Sequence, residues 1–373
     1  MRKTNFPQYI FLVTADALRC DHVGAIGGLK LTPHIDRFAR ESVVFTRAFS
    51  NGPGTNQSFP SIMTSSYFLM HYGLYLNPYF PTLAEILSKK GYLSFAFHSN
   101  PFLSRFFGWH RGFHIFYDLV PKTRNIMKLA KKRYNILGNK IVKEIVRRTR
   151  IGENRKVWAL LNTMSSMLSR YVILPYADGN WLLHFVIRKI SRFLHKRKIF
   201  VWMHFMDTHG PYAPPLNFLP ASFKSRKQAL IFNNFLISDS QRRRKLELIK
   251  QLYVGEVRYI DVLFGKLIKY LDSEGILSKS LVIFASDHGE AFFEHEKFGH
   301  AYEIVYNEVI HVPLIIFDGE HQCRLDSVVS LVDILPTVIS YVLGDYTRLN
   351  LKQKIYGKPL TSLFTEEQKP ENR

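Results

Sequence analysis

Tyr9-Ile10-Phe11-Leu12-Val13-Thr14 is an unbroken apolar, β-rich run, and after Ala15 it meets Asp16-Ala17-Leu18-Arg19-Cys20-Asp21-His22. A run this short, without helical spacing, reads as a buried strand that carries Asp16 to its tip. Strand tips are where open α/β sheets keep their chemistry. The pattern recurs twice. Ile199-Phe200-Val201-Trp202-Met203-His204-Phe205 leads into Asp207-Thr208-His209-Gly210-Pro211-Tyr212, and Ser280-Leu281-Val282-Ile283-Phe284-Ala285-Ser286 leads into Asp287-His288-Gly289-Glu290. Between the first and second of these, Thr32-Pro33 opens a helix, and Leu83, Ile86 and Leu87 form a helical stripe that stops at Gly91. Tyr92-Leu93-Ser94-Phe95-Ala96-Phe97 then reads as a strand, and Leu314-Ile315-Ile316-Phe317 as another. This β-α-β alternation predicts an α/β fold with a largely parallel sheet.

At 373 residues, 46% hydrophobic and 14% aromatic, the chain can bury a sizeable core, which excludes disorder. Its two cysteines, Cys20 and Cys323, fit neither a disulfide framework nor a zinc knuckle and read as plain thiols in a reducing compartment. The basic start Met1-Arg2-Lys3 lacks a signal peptide's uninterrupted apolar run and cleavage site, and no stretch has the length of a membrane span. A cytoplasmic location, with peripheral contact to a membrane, is the expectation. The net charge of +21 is uneven: Lys122 to Lys156 holds thirteen Lys or Arg against Glu144 and Glu153, or +11. Such a patch attracts anionic lipid, an acidic polymer or nucleic acid, with nucleic acid the least favoured. Amphipathic spacing, as in Ile141 with Ile145 and in Leu182, Phe185, Val186 and Ile190, makes residues 122–198 a basic helical insertion. It divides a single domain into an N-terminal part, 1–121, and a C-terminal part, 199–345, followed by a tail, 346–373.

The three polar clusters behind Asp16, Asp207 and Asp287 are each weak alone, since an Asp or His at a strand end is commonly a cap or a loop hydrogen bond. Together they supply carboxylate oxygen and imidazole nitrogen to one crevice, which suits one divalent cation. At these residues the chain resembles the sulfatase family, with its alkaline-phosphatase-like three-layer α/β/α sandwich. The resemblance continues through Thr32-Pro33-His34-Ile35-Asp36-Arg37-Phe38-Ala39, Thr82-Leu83-Ala84-Glu85-Ile86-Leu87 with Gly91-Tyr92, and His209-Gly210-Pro211-Tyr212. It also takes in Tyr253 with Val257 and Asp261, Gly299-His300, Val312-Pro313-Leu314 and Asp333-Ile334-Leu335-Pro336-Thr337. It implies that Asp16, Asp287 and His288 bind the cation, with the nucleophile as a further ligand. It also implies that His209 and His300 act as acid or charge-stabilising groups, and that Ser58, Asp207 and Lys297 bind substrate.

One block departs from the family, whose Cys/Ser-x-Pro-x-Arg signature carries the residue that becomes formylglycine. Here it reads Thr55-Asn56-Gln57-Ser58-Phe59-Pro60-Ser61-Ile62-Met63-Thr64-Ser65. Ungapped alignment places Thr55 at the nucleophile and Phe59 at the arginine. A rival alignment uses Ser58-Phe59-Pro60 but needs a gap and puts Ile62 at the arginine. A formylglycine hydrate releases sulfate by collapsing to the aldehyde, which threonine cannot do. A phosphorylated threonine is relieved by attack at phosphorus. The expectation is therefore a metal-dependent hydrolase or transferase of phosphate esters, its substrate an anionic ester, lipid- or polymer-linked by analogy with threonine-nucleophile relatives. A true sulfatase and a catalytically silent basic binding protein are the rivals.

Overall fold

The computed structural model describes residues 7–119, 176–234, 237–344 and 354–366. The basic stretch from Lys122 to Lys156, with Ile141 and Ile145, lies outside them. Ten strands are present among the described residues: β1 (Tyr9–Ala15), β2 (Val43–Phe49), β3 (Tyr92–His98), β4 (Ile115–Asp118), β5 (Lys198–Phe205), β6 (Ser280–Ser286), β7 (Ala291–Phe292), β8 (Phe298–Gly299), β9 (His311–Phe317) and β10 (Cys323–Ser330). Eight of them form one sheet in the order β10-β2-β9-β6-β1-β5-β3-β4, and β7 pairs with β8 as a separate ribbon. Within the large sheet β9 alone runs antiparallel to its neighbours; the other pairings are parallel. The principal helices are α1 (Pro33–Ala39), α2 (Thr55–Thr64), α3 (Leu83–Lys89), α4 (Gly179–Ile190), α5 (Leu246–Ser273) and α6 (Ile334–Leu343).

The unbroken apolar character of β1 has a direct cause. Tyr9, Phe11, Val13 and Ala15 enter one core, with residues of α1, α4 and α5. Ile10 and Leu12 enter a second core with residues of α2, α3 and α6. A strand with helices over both faces has no solvent side on which to place polar residues. The result is the expected three-layer α/β sandwich with a mostly parallel sheet. The stripe Leu182, Val186 and Ile190 is buried in the first core, while Phe185 packs at its margin.

Long-range hydrogen bonds fix the helices to this frame. Both carboxylate oxygens of Asp261, on α5, accept from the His34 N–H, and one also accepts from the Ile35 N–H, which caps the first turn of α1. Thr82 and Glu85 form a reciprocal capping box at the start of α3. Both cysteines are free thiols, Cys20 buried and Cys323 partly so. Among the described residues no helix is long and apolar enough to cross a membrane.

Candidate active site

Asp16 follows directly on β1, Asn100 lies two residues past β3, Asp207 and His209 follow β5, and Asp287 and His288 follow β6. Parallel neighbours bring these ends to one edge of the sheet. The turn after Asp16 is forced: Ala17 adopts φ +56°, a left-handed conformation that costs a residue with a Cβ. Neighbours hold it there. The Ala17 N–H donates to Asp287 Oδ1 at 3.3 Å, the Tyr253 hydroxyl donates to the Ala17 carbonyl at 2.8 Å, and the Leu18 N–H donates to Ser286 Oγ at 2.9 Å.

Thr55 is the first residue of α2, behind Gly54, whose carbonyl accepts from the Gln57 and Ser58 N–H groups. Gly52 lets the preceding loop press onto this turn, since a Cβ there would meet the Gln57 Cβ at 2.2 Å. A helix N-terminus favours negative charge near it, and Thr55 stands at this one.

The two oxygens of Asp16 have opposite surroundings. Oδ2 receives Asn100 Nδ2 at 2.8 Å, His204 Nε2 at 3.1 Å and Thr55 Oγ1 at 3.3 Å. Oδ1 is buried without a hydrogen-bond partner, as is Asp287 Oδ2. His288 donates its Nδ1–H to the Gly289 carbonyl at 2.8 Å, so the Nε2 lone pair faces Asp16 Oδ1 at 3.4 Å and Asp287 Oδ2 at 3.6 Å. The three ligand atoms lie within 4.8 Å of one another. Converging lone pairs in a dry site repel unless a cation sits among them, so this donor set fits a divalent metal ion.

The ionisation pattern agrees. Burial, and the Asp16 carboxylate beside it, push Asp287 well above the usual carboxylate range. Burial likewise opposes ionisation of Asp16, but His209, the His204 hydrogen bond and His288 outweigh it and hold Asp16 below that range. Burial and the neighbouring His300 push His288 down to about 3, which keeps it neutral with its Nε2 lone pair open to a cation.

Beside this cluster stand two more histidines. The His300 ring lies 4.3 Å from that of His288 and 5.1 Å from that of His209, centroid to centroid. His300 Nδ1 is 3.1 Å from Glu290 Oε1, and the other Glu290 oxygen accepts from the Tyr212 hydroxyl at 2.9 Å. Burial disfavours a charged His300, yet the Glu290 carboxylate overrides it and holds the imidazole above its ordinary value. His209 lies 2.6 Å from the Gly210 carbonyl through Nδ1, and the Tyr176 hydroxyl donates to the His209 carbonyl at 3.0 Å.

The remaining candidates are more dispersed. Ser58, one turn beyond Thr55, is wholly buried and its Oγ has no partner. Asp207 Oδ1 accepts from the Gly179 N–H at the start of α4, at 3.0 Å, and burial pushes its carboxyl up to about 7. Lys297 is half exposed, its ammonium 3.8 Å from Glu303. Asn100 and His204 have no motif to mark them. His204 sits inside an apolar strand, and Asn100 meets Asp16 across 84 positions of sequence. The polar Ser99-Asn100 step at the end of the predicted strand was the available signal for the second.

Residues 8–344 match the family described as Sulfatase. Arylsulfatase K from Bos taurus is 35% identical over 136 residues, 35% of this chain and 24% of that protein. An arylsulfatase from Clostridium perfringens is 24% identical over 96% of this chain and 78% of its own length, and an ulvan-active sulfatase from Formosa agariphila is 22% identical over 96% and 65%. The chain thus spans about a quarter of arylsulfatase K and about two thirds of the ulvan-active sulfatase. Among solved structures, the phosphonate monoester hydrolase of Agrobacterium radiobacter superposes with a TM-score of 0.68 at 20% identity, covering 98% of this chain and 78% of that one. The lipoteichoic acid synthase LtaP from Listeria monocytogenes gives 0.60 at 16% identity, covering 94% and 74%. With the match running through both halves of the sheet and across every strand tip of the cluster, the chain belongs to the sulfatase family.

Proposed function

We propose that this chain is a metal-dependent hydrolase or transferase of phosphate esters in which Thr55 is the nucleophile. The observation that carries the reading is the position of Thr55 Oγ1, at a helix N-terminus, 3.3 Å from Asp16 Oδ2 and 3.4 Å from His288 Nε2. Asp16, Asp287 and His288 would hold the cation, with Thr55 as a further ligand. A divalent cation there supplies Lewis-acid stabilisation of charge on the phosphoryl oxygens and on the Thr55 oxygen.

The chain's own groups account for the rest. The Thr55 hydroxyl proton passes to Asp16 Oδ2, and the freed oxygen attacks phosphorus as the bond to the leaving oxygen breaks. His300, whose proton the neighbouring Glu290 carboxylate favours, donates it to the departing alkoxide, with His209 beside it. Water or an acceptor alcohol then gives its proton to the now neutral His300 and attacks phosphorus, the bond to Thr55 Oγ1 breaks, and Asp16 returns the proton that restores the threonine hydroxyl. Two in-line displacements give retention at phosphorus. Ser58, Asp207 and Lys297 are the substrate-side candidates in this reading.

Phosphate over sulfate follows from the residue type, since threonine has no route to the formylglycine aldehyde. An anionic ester, lipid- or polymer-linked, suits the +21 charge of the chain. The test is chelator-sensitive turnover of matched aryl phosphate, phosphodiester and sulfate esters by the wild type, Thr55→Ala and Ser58→Ala. Phosphoester turnover abolished in Thr55→Ala, and at most weakened through KM with kcat kept in Ser58→Ala, is expected. Efficient sulfate cleavage, or the reverse pattern of variants, would overturn the assignment.

A further inference from the structure

A cavity of about 180 Å³ lies against the two histidines of the site, lined by both His209 and His300. Because the His300 ring touches that of His288, a group in this cavity neighbours the metal-binding cluster on the side from which a proton would be donated. That is where a leaving alcohol departs.

The Glu290, Tyr212 and Asn233 side chains on the cavity wall are already engaged. Glu290 spends one oxygen on His300 and the other on the Tyr212 hydroxyl. The Asn233 amide accepts from the Tyr212 N–H and donates to the Tyr212 carbonyl, both at 2.8 Å. The Arg242 guanidinium is held by Asp239 at 2.7 Å and lies 5.0 Å over the Phe298 ring. Beyond the histidines, the cavity offers an occupant the side chains of Ile237, Ile249 and Phe298.

We propose that this cavity receives the leaving alcohol and selects an aryl or alkyl group over a polyol. The inference rests on the phosphoester reading above. A sugar or glycerol hydroxyl entering the cavity gives up its hydrogen bonds to water and finds committed partners, each such loss costing on the order of tenfold in affinity. An aryl or alkyl group has no such loss and gains apolar contact.

The test compares phosphate esters of benzyl alcohol with those of glycerol, each as the monoester and as the symmetrical diester, so that the identity of the leaving group is unambiguous. Both are primary alcohols, and glycerol is intrinsically no worse a leaving group. With divalent cation present, kcat/KM should favour the benzyl esters by tenfold or more, the difference residing mainly in KM. Ile237→Asn and, independently, Phe298→Ala should each cut that preference at least fivefold. No benzyl preference, or a preference that both variants leave intact, overturns the inference while metal- and Thr55-dependent turnover keeps the phosphoester reading standing. Absence of turnover on every ester overturns both.

Discussion

Replacing Asp287 by Asn should stabilise the metal-free protein while abolishing its response to metal. Asp16 and Asp287 are both wholly buried, and their ligand oxygens lie within 4.8 Å of each other. Two unit charges at that separation repel by about 3 kcal/mol at an effective dielectric of about 20, a cost the chelated protein carries either as repulsion or as the proton Asp287 takes up to escape it. Asparagine keeps Oδ1, which accepts from the Ala17 and His288 N–H groups at 3.3 and 3.0 Å, and puts an N–H donor where the partnerless Oδ2 stands. The gain in chelator should therefore reach about 3 kcal/mol, on the order of 5 °C in Tm for a chain of this size. A cation at a hundred times its Kd stabilises the wild type by about 2.7 kcal/mol, a similar amount. Thermal melts in chelator and across a Mn²⁺, Ca²⁺, Mg²⁺ and Zn²⁺ titration make the comparison. The chelated variant should melt near the metal-saturated wild type and ignore added metal. A variant that melts below the chelated wild type, or that still rises with metal, refutes the idea that Asp16 and Asp287 are built around a cation.

Three further outcomes follow from the same geometry. In Glu290→Gln the carboxylate that keeps His300 above its ordinary value is gone, so the imidazole loses its proton at lower pH. An acid is active while protonated and its rate falls as pH rises through its pKa, so the alkaline limb of kcat/KM should move toward lower pH. An unmoved limb would remove His300 from the acid role. Asn100→Ala deletes the 2.8 Å donor to Asp16 Oδ2 and should weaken metal affinity about 10- to 100-fold, read by metal titration of the melt. Tyr253→Phe withdraws the hydroxyl that pins the left-handed Ala17 turn and should cost about 1–3 kcal/mol of stability, read in denaturant.

The strands easiest to read in the sequence are those buried on both faces. β1, β5 and β6 are continuous apolar runs because helices cover them above and below, and their tips lead to Asp16, His209, Asp287 and His288. β10 is different: it lies at the sheet edge, and Arg324 and Asp326 interrupt it on its exposed side, so it has no apolar signature. β2 carries Thr46 and Arg47 in its second half and is obscured for the same reason. The antiparallel sense of β9 is a property of pairing across the sheet, which local pattern does not encode. Within the site, the cluster of Asp16, Asp287 and His288 is legible because strand tips concentrate it. The partners that fill Asp16 Oδ2, from Asn100 and His204, come from separate strands and take their meaning from the closed sheet. The Glu290 carboxylate shows the same limit: its motif was visible, while its division between His300 and Tyr212 depends on two loops meeting.

Rapid quenching during turnover of a phosphodiester, followed by peptide mass spectrometry, tests the central claim most directly. A phosphoryl-linked adduct on the peptide that begins the α2 helix, localised to Thr55, dependent on divalent metal and absent from Thr55→Ala, is the predicted result. An adduct on Ser58, or full turnover in Thr55→Ala, would contradict the account.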